Sequence, residues 1–478
     1  MYEPERTRLA AVTAAVLLAL SGCTLSPRYE RPAAPVASEF PGAAAGSPQG
    51  STPGSAGASA AQIGWQTFIA EPRLQKLVEL ALAGNRDLRV ATLNVQQSQA
   101  QYRITRSSAF PTLDASGGYS RQHSSVVTSG STSSGFTTES WNASVGVTAY
   151  ELDLFGRVRS LSEQALQQYF ATEEAQRSAR LSLVAEVATQ YFTLREAEEQ
   201  LALAHQTLDS VQQLYQLNQA LFNAGAVGEL DLRTAEGQVQ NARINVLTYE
   251  RLVAQGQNAL VLLIGAPIPQ ELPASGPFDD STLLAQIPPG MPSDLLERRP
   301  DILQAEHVLQ AANANVGAAR AAFFPTISLT GSVGRSSSEL SDLFGGSSRT
   351  WSFAPQISVP IFTGGRNRAN LDVSQIETRI EVANYEKSIQ TAFREVADAL
   401  IADSTFASEI EAPGVAIQAQ QRRLELADAR YRQGEDTYLN VLSAQQDLYS
   451  ARQGRLQAQF NRLSSHIALY KALGGGWE

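Results

Sequence analysis

Two periods of apolar spacing run along this chain, and each occurs twice. Period two sets Leu113, Ala115, Gly117 and Tyr119 against Asp114, Ser116, Gly118 and Ser120. It also sets Trp141, Ala143, Val145, Val147 and Ala149 against Asn142, Ser144, Gly146 and Thr148. The same alternation returns in Ile327, Leu329, Gly331 and Val333, and again in Trp351, Phe353, Pro355, Ile357, Val359 and Ile361. Alternation over about ten residues predicts membrane-barrel strands, apolar toward lipid and polar toward a lumen. Strands are expected at about 112–121, 140–150, 326–335 and 350–361. The Ser/Thr/Gly-rich stretches from Ser124 to Ser140 and from Ser336 to Arg349 read as loops. Phe110, Trp141, Phe323, Phe324 and Trp351 fall at the expected strand ends, where an aromatic girdle belongs. Four strands cannot close a barrel, and open edges are not tolerated in lipid. The chain must therefore oligomerise, two copies giving eight strands and three giving twelve.

The second period is seven. Val187, Leu194, Leu201, Leu208, Tyr215 and Phe222 keep it, with Ala197, Ala204 and Val211 on a parallel seam. Arg157 to Phe222 contains no proline, so it reads as one helix of roughly 100 Å in a coiled coil. Ile410, Ile417, Leu424 and Tyr431 repeat the spacing in the second half. Asp403 stands there where the first half has Leu194, and Pro413-Gly414 where it has Ala204. Proline removes a donor and clashes with the preceding turn, so a kink or break is expected at Pro413-Gly414. A shorter helical pair is expected before the first strand, interrupted near Ala83-Gly84-Asn85 and resuming from Asp87 to about Ser108.

The two halves are one module said twice. Ala109-Phe110-Pro111-Thr112-Leu113 returns as Phe323-Phe324-Pro325-Thr326-Ile327, and Gly156-Arg157 as Gly365-Arg366. Gly225 returns as Gly434 and Ile264-Gly265 as Leu473-Gly474. The intervals of 69 residues (Gly156 to Gly225, Gly365 to Gly434) and 40 residues (Gly225 to Gly265, Gly434 to Gly474) are both preserved. The expected organisation is a leader over 1–22, a tether over 23–64, a first repeat over 65–266, a proline-rich linker over 267–292 and a second repeat over 293–478.

Composition adds three points. The net charge of -10 and the absence of a basic stripe argue against nucleic acid as a partner. Cys23 is the single cysteine, so no internal disulfide forms. It ends Leu20-Ser21-Gly22-Cys23, after a basic start and an apolar run from Leu9 to Leu20 that is too short to span a bilayer. That ending resembles a bacterial lipobox, with Cys23 the lipidated first residue, and Thr24 in place of the Asp that retains lipoproteins in the inner membrane. Residues 26 to 62, rich in Pro, Ala, Gly and Ser, read as a flexible tether or a strap along the surface.

No motif suggests an enzyme, a metal or a cofactor. His123, His205, His307 and His466 lack metal-ligand spacing, and no phosphate loop or activated nucleophile is present. The informative positions are the two reversals at the ends of the long helices. One contains Gly225, Gly228, Glu229 and Leu230; the other contains Gly434, Glu435 and Asp436. Glycine supplies the positive φ of the reversal, and the carboxylates favour the start of the next helix. As a pair, the reversals read as tips that ring the mouth of a tube and dock a partner.

Several stretches carry a resemblance to the TolC-type outer-membrane factor family, in its lipoprotein (NodT-type) branch. They are Pro27-Arg28-Tyr29-Glu30-Arg31-Pro32, Asn85-Arg86-Asp87-Leu88, Glu151 to Arg157, Pro360 to Arg366, Leu295 to Ile302 and Tyr470 to Trp477. The resemblance implies an α+β membrane protein. Three chains form a twelve-stranded β-barrel, continued by a long periplasmic α-helical coiled-coil barrel. It implies a homotrimer in outer-membrane lipid, with a periplasmic membrane fusion (adaptor) protein and an inner-membrane RND-type pump as partners. It also implies a periplasmic gate: Asp231 and Tyr431 match a closing pair, and Leu439 an apolar constriction. Asn440 and Ser443 stand at two gate positions where the family often has Asp. The function implied is a passive exit duct for drugs or other toxic small molecules. A duct for type I protein secretion is an alternative, and a trimeric surface adhesin a third reading, opposed by strands and helices that interleave twice.

Overall fold

The computed structural model describes residues 25–37, 40, 63–126, 134–283, 298–409 and 411–475. Cys23, the leader, most of the tether and residues 284–292 of the linker lie outside them. The helices are α1 Trp65–Phe68, α2 Pro72–Gly84, α3 Arg86–Ser107, α4 Arg157–Asn223, α5 Glu229–Ile264, α6 Pro300–Ala321, α7 Arg366–Glu409, α8 Glu411–Arg432 and α9 Tyr438–Ala472. The strands are β1 Leu113–Val126, β2 Ser134–Leu152, β3 Thr326–Ser337 and β4 Arg349–Ser358. The chain divides into two compact units, each drawing on both repeats. One is Met1–Pro32, Val95–Thr172 and Ala305–Tyr385; the other is Ala33–Asn94, Glu173–Gln304 and Glu386–Glu478.

The first unit holds an antiparallel sheet in the order β1-β2-β3-β4. Its register places the alternating residues as the sequence predicts. Tyr119 pairs with Trp141, Ala115 with Val145, Val145 with Val333 and Val333 with Trp351, which builds one apolar face. The opposite face carries serine pairs whose hydroxyls bond across strands: Ser116 with Ser144 at 2.9 Å, and Ser332 with Ser352 at 2.8 Å. The β1–β2 hairpin extends further than the alternation marks. Ser124 to Val126 and Ser134 to Ser140, expected as loop, are paired strand, because Thr and Ser fit a pleated surface when a partner strand is available. Trp141 consequently lies well inside β2 rather than at its end. The expected alternation also fails at Ala149, which has φ 52 where the register shifts between Val147 and Tyr150. This bulge sets an extra residue into β2, and the Ala149 amide donates to Thr330 Oγ1 at 3.1 Å instead of a ladder carbonyl.

Residues 25–32 run as a strap along α6. Arg320 Nη1 donates to the Leu25 carbonyl and Asn313 Nδ2 to the Pro27 carbonyl. Arg31 donates through Nε and Nη2 to the two oxygens of Glu306 at 2.9 and 2.8 Å, and Tyr29 Oη donates to Glu306 at 3.0 Å. Glu306 is 4% exposed, so these donors replace the water its charge has lost. At Gly317 a Cβ would collide with Ser26, so the small residue lets the strap lie against the helix.

The second unit is helical, with a core of Trp65, Phe68, Leu74, Tyr191, Phe192, Leu260, Ile264, Leu463 and Tyr470 among others. Phe68 and Tyr470 stack at 4.0 Å. The duplication is visible in its hydrogen bonds. Asn85 Nδ2 donates to the Leu263 carbonyl, and Arg299 Nη1 to the Ala472 carbonyl, at matching positions of the two repeats. Both side chains thereby take up a carbonyl left over at a helix C-terminus. At Asp403 the repeats diverge: its carboxylate meets His466 Nε2 at 2.6 Å, which holds its pKa below the ordinary range. Of the kink or break expected at Pro413-Gly414, no break falls on those two residues, which both lie within α8. Ile410 lies outside the described residues.

Candidate gate at the helical tips

The two reversals share one backbone. Gly225 and Gly434 are left-handed, with φ 73 and 77. In the first, the Gly225 amide reaches Phe222 O and the Ala226 amide Leu221 O; in the second, the Gly434 amide reaches Tyr431 O and the Glu435 amide Arg430 O. Each pair of bonds is a Schellman closure that satisfies the last carbonyls of the preceding helix. Gly228 and Thr437 then take the extended N-cap position of α5 and α9.

Side chains distinguish them. Tyr431, in the last turn of α8, is buried, and its hydroxyl donates to Asn218 Oδ1 of α4 at 2.7 Å. Asn218 is 0% exposed, and its Nδ2 donates to the Leu214 carbonyl at 2.9 Å. Leu214, Ala235, Tyr431, Tyr438, Val441 and Leu442 pack around this link. The rings of Tyr431 and Tyr438 are 5.8 Å apart. Burial first, and then the Asp231 carboxylate, raise the Tyr431 phenol above its ordinary pKa. Burial, then Tyr431, then Asp231 push Tyr438 up to about 12. Both phenols are thus held neutral; that of Tyr431 donates to Asn218, while the buried Tyr438 hydroxyl has no hydrogen-bond partner among the described residues.

The residues singled out from the sequence fall into three groups. Asp231 lies in the first turn of α5, close enough for its charge to reach Tyr431, but among the described residues the Tyr431 hydroxyl bonds to Asn218 and not to Asp231. Asn440 and Asp436 are joined, Asn440 Nδ2 donating to Asp436 Oδ1 at 2.5 Å, while the Thr437 amide donates to the same oxygen at 2.8 Å. The Asn440 bond first, and the amide second, hold Asp436 below the usual carboxylate pKa. Arg430 stands 3.5 Å from it. Ser443 Oγ accepts from Arg423 Nη2 at 3.1 Å, and Arg423 also pairs with Asp447. Leu230 and Leu439 form the third group, 80% and 68% exposed in the single chain. Glu229 pairs with Arg233 at 3.3 Å, also at the surface.

Asn218, Tyr438 and Arg423 were not singled out from the sequence. A signal for Asn218 was present. It continues the buried seam Ala197, Ala204, Val211 by another seven residues, and a polar side chain at a coiled-coil core position needs a partner. Chemically, the tips offer neutral hydrogen bonds, exposed apolar residues and compensated charges. No cluster of metal-binding side chains occurs among the described residues.

The profile of the family described as outer membrane efflux protein matches residues 77–266 and 291–475. The chain is 47% identical over 468 residues to TtgC of Pseudomonas putida, a probable efflux pump outer membrane protein, covering 98% of this chain and 95% of the relative. It is 44% identical over 463 residues to the outer membrane protein OprJ of Pseudomonas aeruginosa, covering 97% and 95%. The crystal structure of the open state of the Neisseria gonorrhoeae MtrE outer membrane channel superposes with a TM-score of 0.84 at 41% identity, covering 95% of this chain and 99% of that one.

Proposed function

Because this chain belongs to the outer membrane efflux protein family, we propose that it is the outer-membrane channel of a tripartite efflux system, a passive exit duct for small toxic molecules. The observation that carries this reading is the two-faced sheet. Its apolar rows suit lipid and its serine-lined rows suit a watery lumen, as a channel barrel requires. The open edges of β1 and β4 are paired in a trimer, whose twelve strands close the barrel. Cys23 carries the lipid anchor, and the strap over residues 25–32 leads from it. The tips dock a periplasmic adaptor, which joins the duct to an inner-membrane pump of the RND type. No chemical step falls to this chain, and energy comes from the pump.

In this reading the tips close the periplasmic mouth. Asn218 and Tyr431 tie the two tips of one chain together, Asp231 adds a charge beside them, and Leu439 narrows the passage. A neutral hydrogen bond of this kind contributes about 1 kcal/mol net, which suits a latch that must release. Single-channel conductance in a planar bilayer tests both parts. A small, stable conductance that rises in Asp231→Ala is expected. Absence of any conductance would overturn the channel reading, whereas a conductance unchanged by the substitution would remove Asp231 from the gate alone.

A further inference from the structure

The hairpin end of β3 and β4 carries a charge arrangement that an exit duct does not use. Arg335 and Arg349 are direct partners in the register, so two guanidinium side chains share one face across a single strand spacing. Like charges placed directly opposite destabilise a sheet. Arg335 Nη1 donates to the Gly345 carbonyl at 2.6 Å and to Ser348 Oγ at 3.2 Å, and Arg349 is exposed. Neither has a carboxylate partner among the described residues. Glu139 does not serve, since it pairs with Arg121 at 3.1 Å.

The same face continues away from the arginines as an apolar column. Trp351 pairs with Val333, Phe353 with Gly331 and Ile357 with Ile327. A groove of about 440 Å³ follows it, lined by Arg349, Trp351, Val333, Val145, Val147 and Leu113. Gly331 widens it by having no side chain. A paired cation at the head of an apolar groove has the form of a lipid site. We infer that Arg335 and Arg349 bind the phosphate of a phosphorylated lipid of the outer leaflet, with an acyl chain laid in the groove beneath. This rests on the reading of the sheet as the membrane barrel. A phosphate accepts two guanidinium groups at once and cancels their repulsion. Trp351, one alternating step below, is suited to the boundary between head groups and acyl chains. The hairpin end lies opposite the strand ends that enter the helices, which places it on the outer side of the membrane.

Full-length protein in phosphatidylcholine nanodiscs, titrated with lipid A, tests the site by native mass spectrometry. Lipid A should bind, and dephosphorylated lipid A should bind about tenfold more weakly, a difference of about 1.4 kcal/mol. Arg349→Gln should show the same loss with lipid A, and Arg349→Lys should recover part of it. Equal binding of the two lipids, or full competition by inorganic phosphate, would overturn the proposal in favour of a purely apolar surface or a free-anion site. Arg349→Gln should still conduct as wild type does. Loss of conductance in wild type itself would reject the channel reading instead, so the two failures are distinguishable.

Discussion

The two helical tips are built on the same backbone and do different things with it. Both turn through a left-handed glycine, both close with the same two hydrogen bonds, and both start the next helix four residues later. Phe222 of the first tip is 37% exposed, while Tyr431, its counterpart, is 7% exposed and bonded to Asn218. Asp231 of the first tip corresponds to Asn440 of the second, and Glu229 to Tyr438. Backbone geometry has been kept because few residues can adopt it. Recognition has diverged because side chains at a given backbone position are free to change. A duplicated module thus supplies two equivalent supports, and an asymmetric set of polar contacts turns them into partners.

Making the second tip resemble the first should have the largest effect. Tyr431→Phe copies Phe222 and leaves Asn218 Oδ1 buried without its donor. It should destabilise the tip by about 1–3 kcal/mol and raise resting conductance. In a double-mutant cycle with Asn218→Leu, the pair should lose clearly less than the sum of the single losses, and strict additivity would mean that the link carries no coupling. Next come the glycines. Gly225→Ala and Gly434→Ala meet no atom within 4 Å, so only the positive φ opposes them. Each should lower stability by about 1 kcal/mol, and by equal amounts, as judged from denaturant midpoints. Unequal losses would show that the two turns are not equivalent supports.

The smallest effect concerns pH. Tyr438 is pushed up to about 12 in the folded protein, against about 10 unfolded. A raised phenol pKa stabilises the fold fully below about 10, and that contribution fades as pH climbs through about 12. Stability of the wild type should therefore fall more steeply over this range than that of Tyr438→Phe, when unfolding is followed at several pH values. Parallel curves would place the Tyr438 hydroxyl in water.

Much of this architecture was legible because it rests on periodicity and glycine. Gly156 and Gly365, Gly225 and Gly434, and Gly265 and Gly474 were paired by spacing alone, and all six have positive φ. The two faces of the sheet followed from period two. Hairpin length did not, because Ser124–Val126 and Ser134–Ser140 lack the apolar alternation and take strand form only through pairing. The bulge at Ala149 depends on a hydroxyl, Thr330, from a strand more than a hundred residues away, so no local pattern announces it. Within the tips, the glycines and the start of each helix could be read directly. The partner of Tyr431 could not, since a hydrogen bond between residues 213 apart is chosen by packing. Asn218 was nonetheless marked, as the polar member of a buried seam.

The strap has a consequence for the order of assembly. Its bonds to α6 join residues 275 to 295 positions apart, among the longest separations in the chain. Segments that emerge first from the ribosome here find their partners only after the whole first repeat and the start of the second have followed. Loop-closure entropy for such a span favours late docking, once intervening helices have shortened the effective loop. Residues 25–32 would then remain open to proteases in any chain that stops short of α6. Protection of the strap is therefore a natural readout of complete folding.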